Sequence, residues 1–173
     1  SLNTALQEIV NPPDATKSEL KVGNRIFREG DKVMQIRNNY NAEWKAVGDY
    51  QTHTGVFNGD MGIIESIEPE WKRMTVRSDE RVITYEGEML EELELAYAVT
   101  VHKSQGCEFP VIIIPMHRFP PMLMTRNLLY TAITRGKSLV IIVGSPRCLQ
   151  WMIDNNRIDE RHTGLTEMLN KEI

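Results

Sequence analysis

The chain has 173 residues, a formal net charge of −4, 41% hydrophobic residues and 25% charged residues. This is typical of a soluble globular protein with one ordinary domain, or with one domain that carries a smaller inserted domain. No apolar run approaches the ~20 residues that span a bilayer, no N-terminal signal is visible, and the acidic balance argues against a broadly basic surface that coats nucleic acid.

Basic residues are concentrated in one part of the chain. Residues 60–100 contain eleven acidic and four basic residues, whereas residues 101–147 contain six basic residues and one acidic residue. A local basic zone on an acidic protein suits a narrow phosphate or nucleotide site, although ordinary charge fluctuation explains it equally well.

Cys107 and Cys148 have no metal-ligand spacing, so we expect two packing residues in a reducing cytoplasm.

The first part of the chain predicts a helix followed by β structure. Residues 2–10 have helical spacing that Asn11-Pro12-Pro13 ends, and a polar connector is predicted up to Lys21. Between Val22 and about Leu90, turn residues separate short apolar or alternating runs, which suggests a small barrel. The predicted strands lie within residues 33–36, 62–64, 74–76 and 82–85, and residues 38–54 are predicted to be a long loop.

Strands and helices alternate in the last part of the chain, which predicts a parallel sheet with flanking helices. Residues 93–98 predict a strand leading into a short helix that Gly106 closes, and residues 111–114 and 139–143 predict strands buried on both faces. Residues 122–135 predict a helix with Gly136 in the C′ position and an apolar stripe of Leu128, Leu129, Ala132 and Ile133. Ser145 is predicted to cap a helix that has Pro146 in its first turn and ends at Ile153, and residues 163–173 predict a short amphipathic helix or tail.

Two polar strings could carry chemistry. Residues 100–109, TVHKSQGCEF, place a hydroxyl, an amide and a cation on a turn that could bind phosphates, although most polar loops are only loops. Residues 127–137, NLLYTAITRGK, place Arg135 in the last helical turn. A cation there complements the helix dipole by roughly 0.3–1 kcal/mol, whereas an arginine finger on a γ-phosphate contributes on the order of 10³–10⁵ in rate. Spacing alone favours the dipole role.

Together the strings resemble a known family. Residues 95–109 (LAYAVTVHKSQGCEF) are similar to motif V, and residues 130–137 (YTAITRGK) to motif VI, of superfamily 1 helicases. The resemblance is to the RecD-like, 5′-to-3′ group, which includes the exodeoxyribonuclease V alpha chain. Residues 2–12 resemble the segment after motif IV in this group. Three further strings resemble its inserted Src-homology-3-like barrel: GDKVMQ (30–35), NNY (38–40) and VFNGDMG (56–62).

The resemblance implies an α/β fold, namely the C-terminal part of a RecA-like, P-loop-NTPase-type domain with an inserted Src-homology-3-like β-barrel. Residues 1–21 would be its N-terminal helix and connector, residues 22–90 the barrel, and residues 91–173 the remainder, with motifs V and VI. The implied function is the C-terminal motor half of an ATP-dependent DNA helicase of DNA repair and recombination. Such an enzyme translocates on single-stranded DNA and unwinds duplex DNA.

The resemblance also implies roles for residues at the nucleotide. Arg135 would be the catalytic arginine finger, and Tyr130 and Thr134 would position it, with packing as the competing role. The nucleotide would be approached by Gly106 through its bare backbone and by Glu108 toward the ribose hydroxyl. Gln105 would bind the nucleotide and couple it to DNA.

A second set of residues would contact single-stranded DNA. In motif V, the backbone of the strand would be contacted by Thr100, His102 and Lys103. In the barrel, the candidates are Asn38, Asn39 and Tyr40. Tyr40 could stack on a base, an interaction worth ~1–3 kcal/mol, or it could be structural.

The sequence departs from the family pattern in informative places. It contains no G-x-x-x-x-G-K-[ST] string, no identifiable acidic pair for Mg²⁺ and no motif IV arginine, and Gly136 stands where the family often has alanine. We therefore expect part of a longer helicase, in which a preceding N-terminal RecA-like domain binds most of the ATP and its Mg²⁺. No metal site is expected here, and this chain alone is expected to hydrolyse no ATP.

Three alternatives stay open from the sequence. The chain could be a non-catalytic module that binds single-stranded DNA, or the helicase part of a conjugative relaxase. It could also be a protein-interaction module, in which the 38–54 loop, with Trp44 and Tyr50, docks a partner such as another exodeoxyribonuclease subunit. Single-stranded DNA and duplex junctions are the expected nucleic-acid partners, and no membrane partner is expected.

Overall fold

The computed structural model describes residues 1–48, 51–118 and 120–156. The chain divides into two compact units, Ser1–Cys107 (unit 1) and Glu108–Ile173 (unit 2). The domain boundaries after residues 21 and 90 stay predictions. Tyr50 and the helix expected over residues 163–173 lie outside the described part of the chain.

Unit 1 begins with helix α1, Leu2–Val10, which confirms the predicted helix. The helix begins where the Ser1 hydroxyl accepts a hydrogen bond from the backbone N–H of Thr4 at 3.2 Å, which is ordinary N-capping. It ends at Asn11, because prolines follow and cannot continue the hydrogen-bond ladder.

An antiparallel hairpin comes next, formed by β1, Glu19–Val22, and β2, Arg25–Arg28. The prediction that the polar connector extends to Lys21 was therefore wrong in its last residues. In β1, Leu20 is buried in the core while Glu19 and Lys21 are exposed, so one face of this short strand is polar. The turn between the strands uses Gly23 at φ +59°, a conformation that glycine adopts without steric cost.

The rest of unit 1 is built on one seven-stranded antiparallel sheet, in the order β5-β4-β8-β7-β6-β3-β9. The four predicted strand runs are confirmed, and closure of the sheet into a barrel stays a prediction. The buried core includes Phe27, Val33, Met74, Ile83 and Tyr85. The strands are β3 Lys32–Gln35, β4 Asn39–Ala46, β5 Thr52–Val56, β6 Met61–Glu68, β7 Arg73–Ser78, β8 Arg81–Glu86 and β9 Leu93–Leu95.

Strands β4 and β5 lie where a long loop was predicted over residues 38–54, so that prediction was wrong. Trp44 pairs with His53 of β5 on one side and with Ile83 of β8 on the other. Within β4, only Ala42 is buried, and the other side chains are half-buried or exposed. Its alternating apolar residues are alanines and incompletely buried aromatics, so the strand gives a weak sequence signal.

The segment after β9 forms turns instead of the predicted short helix. The backbone N–H of Ser104 donates to the carbonyl of Thr100 at 3.1 Å, and that of Cys107 to the carbonyl of Ser104 at 3.0 Å. Gly106 takes a φ of +84°, which is outside the helical region and prevents the turns from continuing as a helix. We call residues 100–107 the motif V turn.

Unit 2 contains the predicted order of strand, helix, strand and helix. Strands β10, Phe109–Met116, and β11, Gly136–Gly144, pair in parallel. Helix α2, Arg126–Ile133, connects them, and helix α3, Pro146–Asp154, comes after β11. The parallel pair and both helices were therefore predicted in the correct order.

The predicted ends of the helices need correction. Helix α2 begins at Arg126 because the Thr125 hydroxyl caps it, accepting a hydrogen bond from the N–H of Leu128 at 3.3 Å. Thr134 is its C-cap, and Gly136 begins β11, so Gly136 is not the C′ residue. Ser145 does occupy the N-cap position of α3, but its side chain makes no capping hydrogen bond.

Only one face of the β10–β11 pair is covered in the described chain. Helices α2 and α3 pack a cluster that includes Leu129, Met152 and, on β10, Ile114 and Met116. The opposite side remains open, with Ile113 66% exposed and Val143 56% exposed. The prediction that both strands are buried on both faces was therefore wrong for these residues.

No helix in the described ranges is long and apolar enough to cross a membrane.

Candidate functional site

The motif V turn presents polar side chains at the surface of unit 1. Thr100, His102 and Gln105 are exposed. The Thr100 hydroxyl accepts a hydrogen bond from the backbone N–H of Lys103 at 3.2 Å, and the buried Ser104 hydroxyl donates to the carbonyl of Val101 at 2.8 Å. These bonds are internal to the turn, so they fix its shape while leaving the outer side chains toward solvent.

Lys103 forms an ion pair with Glu94 of β9. Both side chains are more than a third exposed, so the pair contributes little stability and exchanges readily with solvent ions. A phosphate could therefore compete for the ammonium group of Lys103. The sequence offered no sign of this pair, because opposite charges at this spacing in a non-helical segment do not predict contact.

In unit 1, the loop before β6 contacts both the loop after β3 (residues 36–38, the Asn38 loop) and the motif V turn. The Asn38 side-chain oxygen accepts a hydrogen bond from the backbone N–H of Asn58 at 2.9 Å. The N–H of Gly59 donates to the carbonyl of Gln35 at 2.9 Å, and the thiol of Cys107 approaches the carbonyl of Gly59 at 3.8 Å. Asn58 thus contacts the Asn38 loop, and its neighbour Gly59 contacts β3 and the motif V turn.

Asn39 and Tyr40, predicted together as DNA contacts, have different surroundings. The Asn39 amide donates to both carboxylate oxygens of Glu92, at 3.2 and 3.0 Å, so it is engaged within unit 1. Tyr40 is 67% exposed and lies edge-on to Phe57, which is 44% exposed, with 5.8 Å between ring centroids. Phe57 is not among the DNA contacts predicted from the sequence, although it lies in the string VFNGDMG.

In unit 2, the parallel pairing of β10 and β11 brings the end of motif V beside the end of motif VI. Phe109 is in register with Gly136, and its N–H donates to the carbonyl of Arg135 at 2.8 Å. Glu108 forms an ion pair with Lys137, with 2.8 Å between Oε2 and Nζ. The hydrogen bond and charge of Lys137, with a further contribution from the charge of Arg135, hold the pKa of Glu108 below its usual value.

The guanidinium of Arg135 lies against the C-terminal turn of α2. Its Nε donates to the carbonyl of Thr131 at 3.2 Å, and Nη2 donates to the hydroxyl of Thr134 at 3.3 Å. Thr134 therefore contacts Arg135 directly, whereas the Tyr130 side chain is 70% exposed. This is the geometry of a cation that satisfies helix-end carbonyls, and it leaves the guanidinium at the protein surface.

Gln105 and Gly106 lie at the exposed end of the motif V turn. In the described part of the chain, no atom beyond the adjoining residues lies within 4 Å of the position a Cβ would take at Gly106, and its φ of +84° favours glycine there. The open space would let another molecule approach its backbone closely. These residues could thus contact a nucleotide. Within the described ranges, no group of three or more His, Cys, Asp or Glu residues could hold a metal ion.

Comparison with known families agrees with the geometry of both units. Residues 2–77 match the family model described as the ATP-dependent RecD-like DNA helicase SH3 domain. Residues 95–143 match the UvrD-like helicase C-terminal domain. The chain belongs to the RecD-like family of superfamily 1 helicases and contains sequence of that family's C-terminal region.

Individual relatives extend this result. The ATP-dependent RecD2 DNA helicase of Deinococcus radiodurans is 32% identical over 168 residues, which cover 97% of this chain and 21% of that protein. The RecBCD enzyme subunit RecD of Mycobacterium tuberculosis is 36% identical over 90 residues, covering 52% of this chain and 16% of that protein. The chain therefore spans about a fifth, or less, of the length of these relatives.

A solved structure shares the fold. It belongs to work on the structural basis for DNA unwinding at forked double-stranded DNA by two coordinating Pif1 helicases. The likeness has a TM-score of 0.53 and 24% identity, and covers 98% of this chain and 42% of the solved chain. The fold is thus shared across nearly all of this chain.

Proposed function

We propose that this chain is the C-terminal motor part of an ATP-dependent DNA helicase that moves 5′ to 3′ on single-stranded DNA and unwinds duplex DNA. The observation that carries the proposal is the parallel pairing of β10 with β11. It places Glu108 of motif V and Arg135 of motif VI at the starts of neighbouring strands within one unit. Two motifs that are distant in sequence thus supply adjacent polar groups.

At the nucleotide, the proposed functions of these residues are consistent with their chemistry. ATP with Mg²⁺, held mainly by an N-terminal RecA-like domain of a longer chain, supplies the phosphoanhydride that is hydrolysed. The Arg135 guanidinium exchanges its bonds to Thr131 and Thr134 for the γ-phosphate oxygens and stabilises the charge there. The ionised carboxylate of Glu108 accepts a hydrogen bond from the ribose, while Gly106 allows close backbone approach.

Nucleotide occupancy is coupled to DNA through motif V in this proposal. Gln105 links the nucleotide side to the DNA side of the turn. Closure and opening of the two motor domains then alternate the grip on DNA, so that each hydrolysis cycle moves the strand in one direction.

Unit 1 supplies part of the DNA track. We assign phosphate contacts to Thr100, His102 and Lys103, where Lys103 leaves Glu94 for a DNA phosphate. Asn38 and Tyr40 extend the track onto strands β1 to β8 of unit 1 with their connecting turns (the β module), with Tyr40 stacking on a base. Asn39 contributes by holding this loop to Glu92 in the DNA-free state.

We also propose how the chain divides between the barrel and the RecA-like part of the motor. Strands β3 to β8, six of the seven strands of the sheet, belong to the Src-homology-3-like barrel of the family, inserted as residues 22–90. Residues 1–21 and 91–173 are then the RecA-like part of the motor. The match to the helicase SH3 family covers residues 2–77 and so supports a barrel of this type in the first half of the chain, while the boundaries at residues 21 and 90 rest on the sequence resemblance.

The deciding experiment compares ATPase activity stimulated by single-stranded DNA in the full-length helicase and its Arg135→Ala and Arg135→Lys variants. Lysine keeps the positive charge at the helix end but lacks the guanidinium fork, so it distinguishes an arginine finger from a helix cap. We expect turnover to fall by about 10³-fold in both variants, with nucleotide affinity retained. Arg147→Ala removes an exposed cation of α3 and is the matched control, with wild-type turnover expected.

Near-normal turnover in Arg135→Ala would show that this residue only caps its helix, and would defeat the assignment of a finger. The 173-residue chain provides a second test. It is expected to show no ATP hydrolysis, because the phosphate-binding loop is absent from its sequence. Magnesium-dependent turnover by a clean preparation of this chain would contradict that expectation.

A further inference from the structure

Asp31 is fully buried in unit 1, at the turn between β2 and β3. Its Oδ1 accepts hydrogen bonds from the Asn11 amide at 2.7 Å and the Tyr97 hydroxyl at 2.8 Å. Its Oδ2 accepts from the Gln7 amide at 2.6 Å and the backbone N–H of Arg28 at 2.7 Å. One carboxylate therefore joins helix α1, the end of β2 and the segment that comes after β9.

The buried Asp31 carboxylate depends on the hydrogen bonds from its four donors. A carboxylate out of contact with water is costly unless its lone pairs are satisfied, so each donor has a strong energetic reason to remain in place. The side chain of Arg28 does not provide this compensation, because its guanidinium bonds to Glu8 and Glu19. Neutral donors from three segments of the chain hold Asp31 instead.

The Tyr97 bond reaches the part of the chain proposed to contact DNA. Tyr97 lies two residues after β9 and three residues before Thr100, the first residue of the motif V turn. Its neighbours are also fixed. The N–H of Ala96 donates to the carbonyl of Lys32 at 2.8 Å, and Ala98 exchanges two hydrogen bonds with the Asn3 side chain, at 2.7 and 2.9 Å.

The segment 96–98 is thus bonded at every residue to the β module or to α1. The motif V turn begins shortly after it, and several of the outer side chains of the turn are exposed. Within this segment, Tyr97 alone is held through its side chain to a charged group. Burial and, after it, the hydrogen bond to Asp31 raise the pKa of Tyr97 to about 12, so its hydroxyl is a donor at neutral pH.

We propose that Asp31 and Tyr97 form a positioning pair that fixes the motif V turn relative to the β module. The pair keeps Thr100 and His102 in register with the Asn38 loop, so that one DNA strand meets both. This inference rests on the proposed DNA function for its consequence, but not for its geometry. Neither residue is expected to touch DNA.

The test uses Tyr97→Phe, which removes one hydroxyl and keeps the ring. Gln7→Met is the matched control, because it removes a different donor from the same carboxylate and lies on α1. Amide hydrogen exchange is measured on the 173-residue chain without DNA, and affinity for an oligo-dT strand is measured by fluorescence anisotropy. The amides of Ser104 and Cys107, which close the motif V turn, report its stability directly.

In Tyr97→Phe, we expect exchange at Ser104 and Cys107 to accelerate about tenfold, the factor for one lost hydrogen bond to a charged group. We also expect several-fold weaker oligo-dT binding. In Gln7→Met, exchange at both amides is expected to stay within about twofold of wild type, even where the melting temperature falls.

Equal acceleration in the two variants would reduce Asp31 to a general stabiliser and overturn the proposal, as would unchanged exchange in Tyr97→Phe. If wild type fails to bind oligo-dT while exchange responds as expected, the positioning pair is supported and the DNA function of this chain is not. The two failures are therefore distinguishable.

Discussion

Glu108 and Lys137 form an ion pair between the starts of two parallel strands, with 2.8 Å between the carboxylate oxygen and the ammonium nitrogen. Their side chains are 58% and 61% exposed, so the pair contributes little to the free energy of unfolding. Its effect is local: it keeps a carboxylate ionised beside Arg135, at the place where motif V and motif VI meet. A nucleotide would therefore encounter two cations and one anion.

Lys137→Met is expected to raise the pKa of Glu108 toward its usual value of 4.5, because the substitution removes the first and second causes of the lowered pKa. The charge of Arg135 remains and retains part of the effect. Carboxyl carbon chemical shifts measured by NMR across the acidic range report this directly. Arg147→Met, which removes a cation that is not among the causes, should leave the titration unchanged. An unaltered Glu108 titration in Lys137→Met would refute the pairing in solution.

Tyr40→Ala is expected to weaken oligo-dT binding by roughly 1–3 kcal/mol if the ring stacks on a base. Tyr40 is well placed for this because it is exposed and supported edge-on by Phe57. Anisotropy titrations at fixed salt provide the measurement. Trp71→Ala removes an aromatic side chain that is 71% exposed on the turn between β6 and β7, and should have no effect. Equal losses in the two variants would argue for nonspecific aromatic contact.

The alkaline stability of the chain should depend on Tyr97. Its pKa is about 12 in the folded chain and 10.0 without these interactions, so the unfolded chain releases the proton first. The contribution is therefore complete below pH 10 and is lost as the pH rises toward 12. We expect the melting temperature to fall less steeply over this range in Tyr97→Phe than in wild type. Tyr130→Phe, at an exposed position, should keep the wild-type slope, and identical slopes in all three proteins would contradict the prediction.

Gly144→Ala should destabilise unit 2 strongly. Gly144 has a φ of +137°, and a Cβ there would lie 2.0 Å from the backbone oxygen of Met116, on the neighbouring strand. Backbone strain and displacement of β10 together should lower the free energy of unfolding by about 3 kcal/mol or more. Urea unfolding measures the loss.

Ser145→Ala is the control for this substitution. An N-cap serine usually contributes about 1 kcal/mol, but the Ser145 side chain makes no capping hydrogen bond. Its replacement should therefore change the free energy of unfolding by less than about 0.5 kcal/mol. A large loss in Ser145→Ala, or a small one in Gly144→Ala, would contradict the geometry at the end of β11.

Local sequence patterns predicted much of the fold because the patterns are short-range. Helical spacing indicated α1, and β-branched runs indicated the parallel pair in unit 2. Strand β4 shows the alternation of a half-buried strand, because Tyr40, Ala42, Trp44 and Ala46 alternate with polar residues. This signal was weak because much of the strand is exposed. Burial of β10 and β11 was overestimated because an apolar run does not reveal how many neighbouring elements the chain supplies.

The site was predicted less completely than the fold. Motif strings identified Arg135 and Glu108 as candidates, and the parallel register places them at adjacent strand starts. Contacts that depend on the folded chain were invisible in the strings. Asn39 meets Glu92 and Tyr97 meets Asp31 across separations of 53 and 66 residues, and no periodicity encodes such distances.

The pairing of β3 with β9 has an evolutionary consequence. Val33 of β3 lies directly opposite Leu95 of β9, so the chain leaves β3 and returns in β9 at neighbouring points of the sheet. Insertions with adjacent ends lengthen, shorten or exchange their contents without displacing the downstream chain. Selection can therefore change the length of the surface turns between β3 and β9 while the residues after Leu95 keep their place.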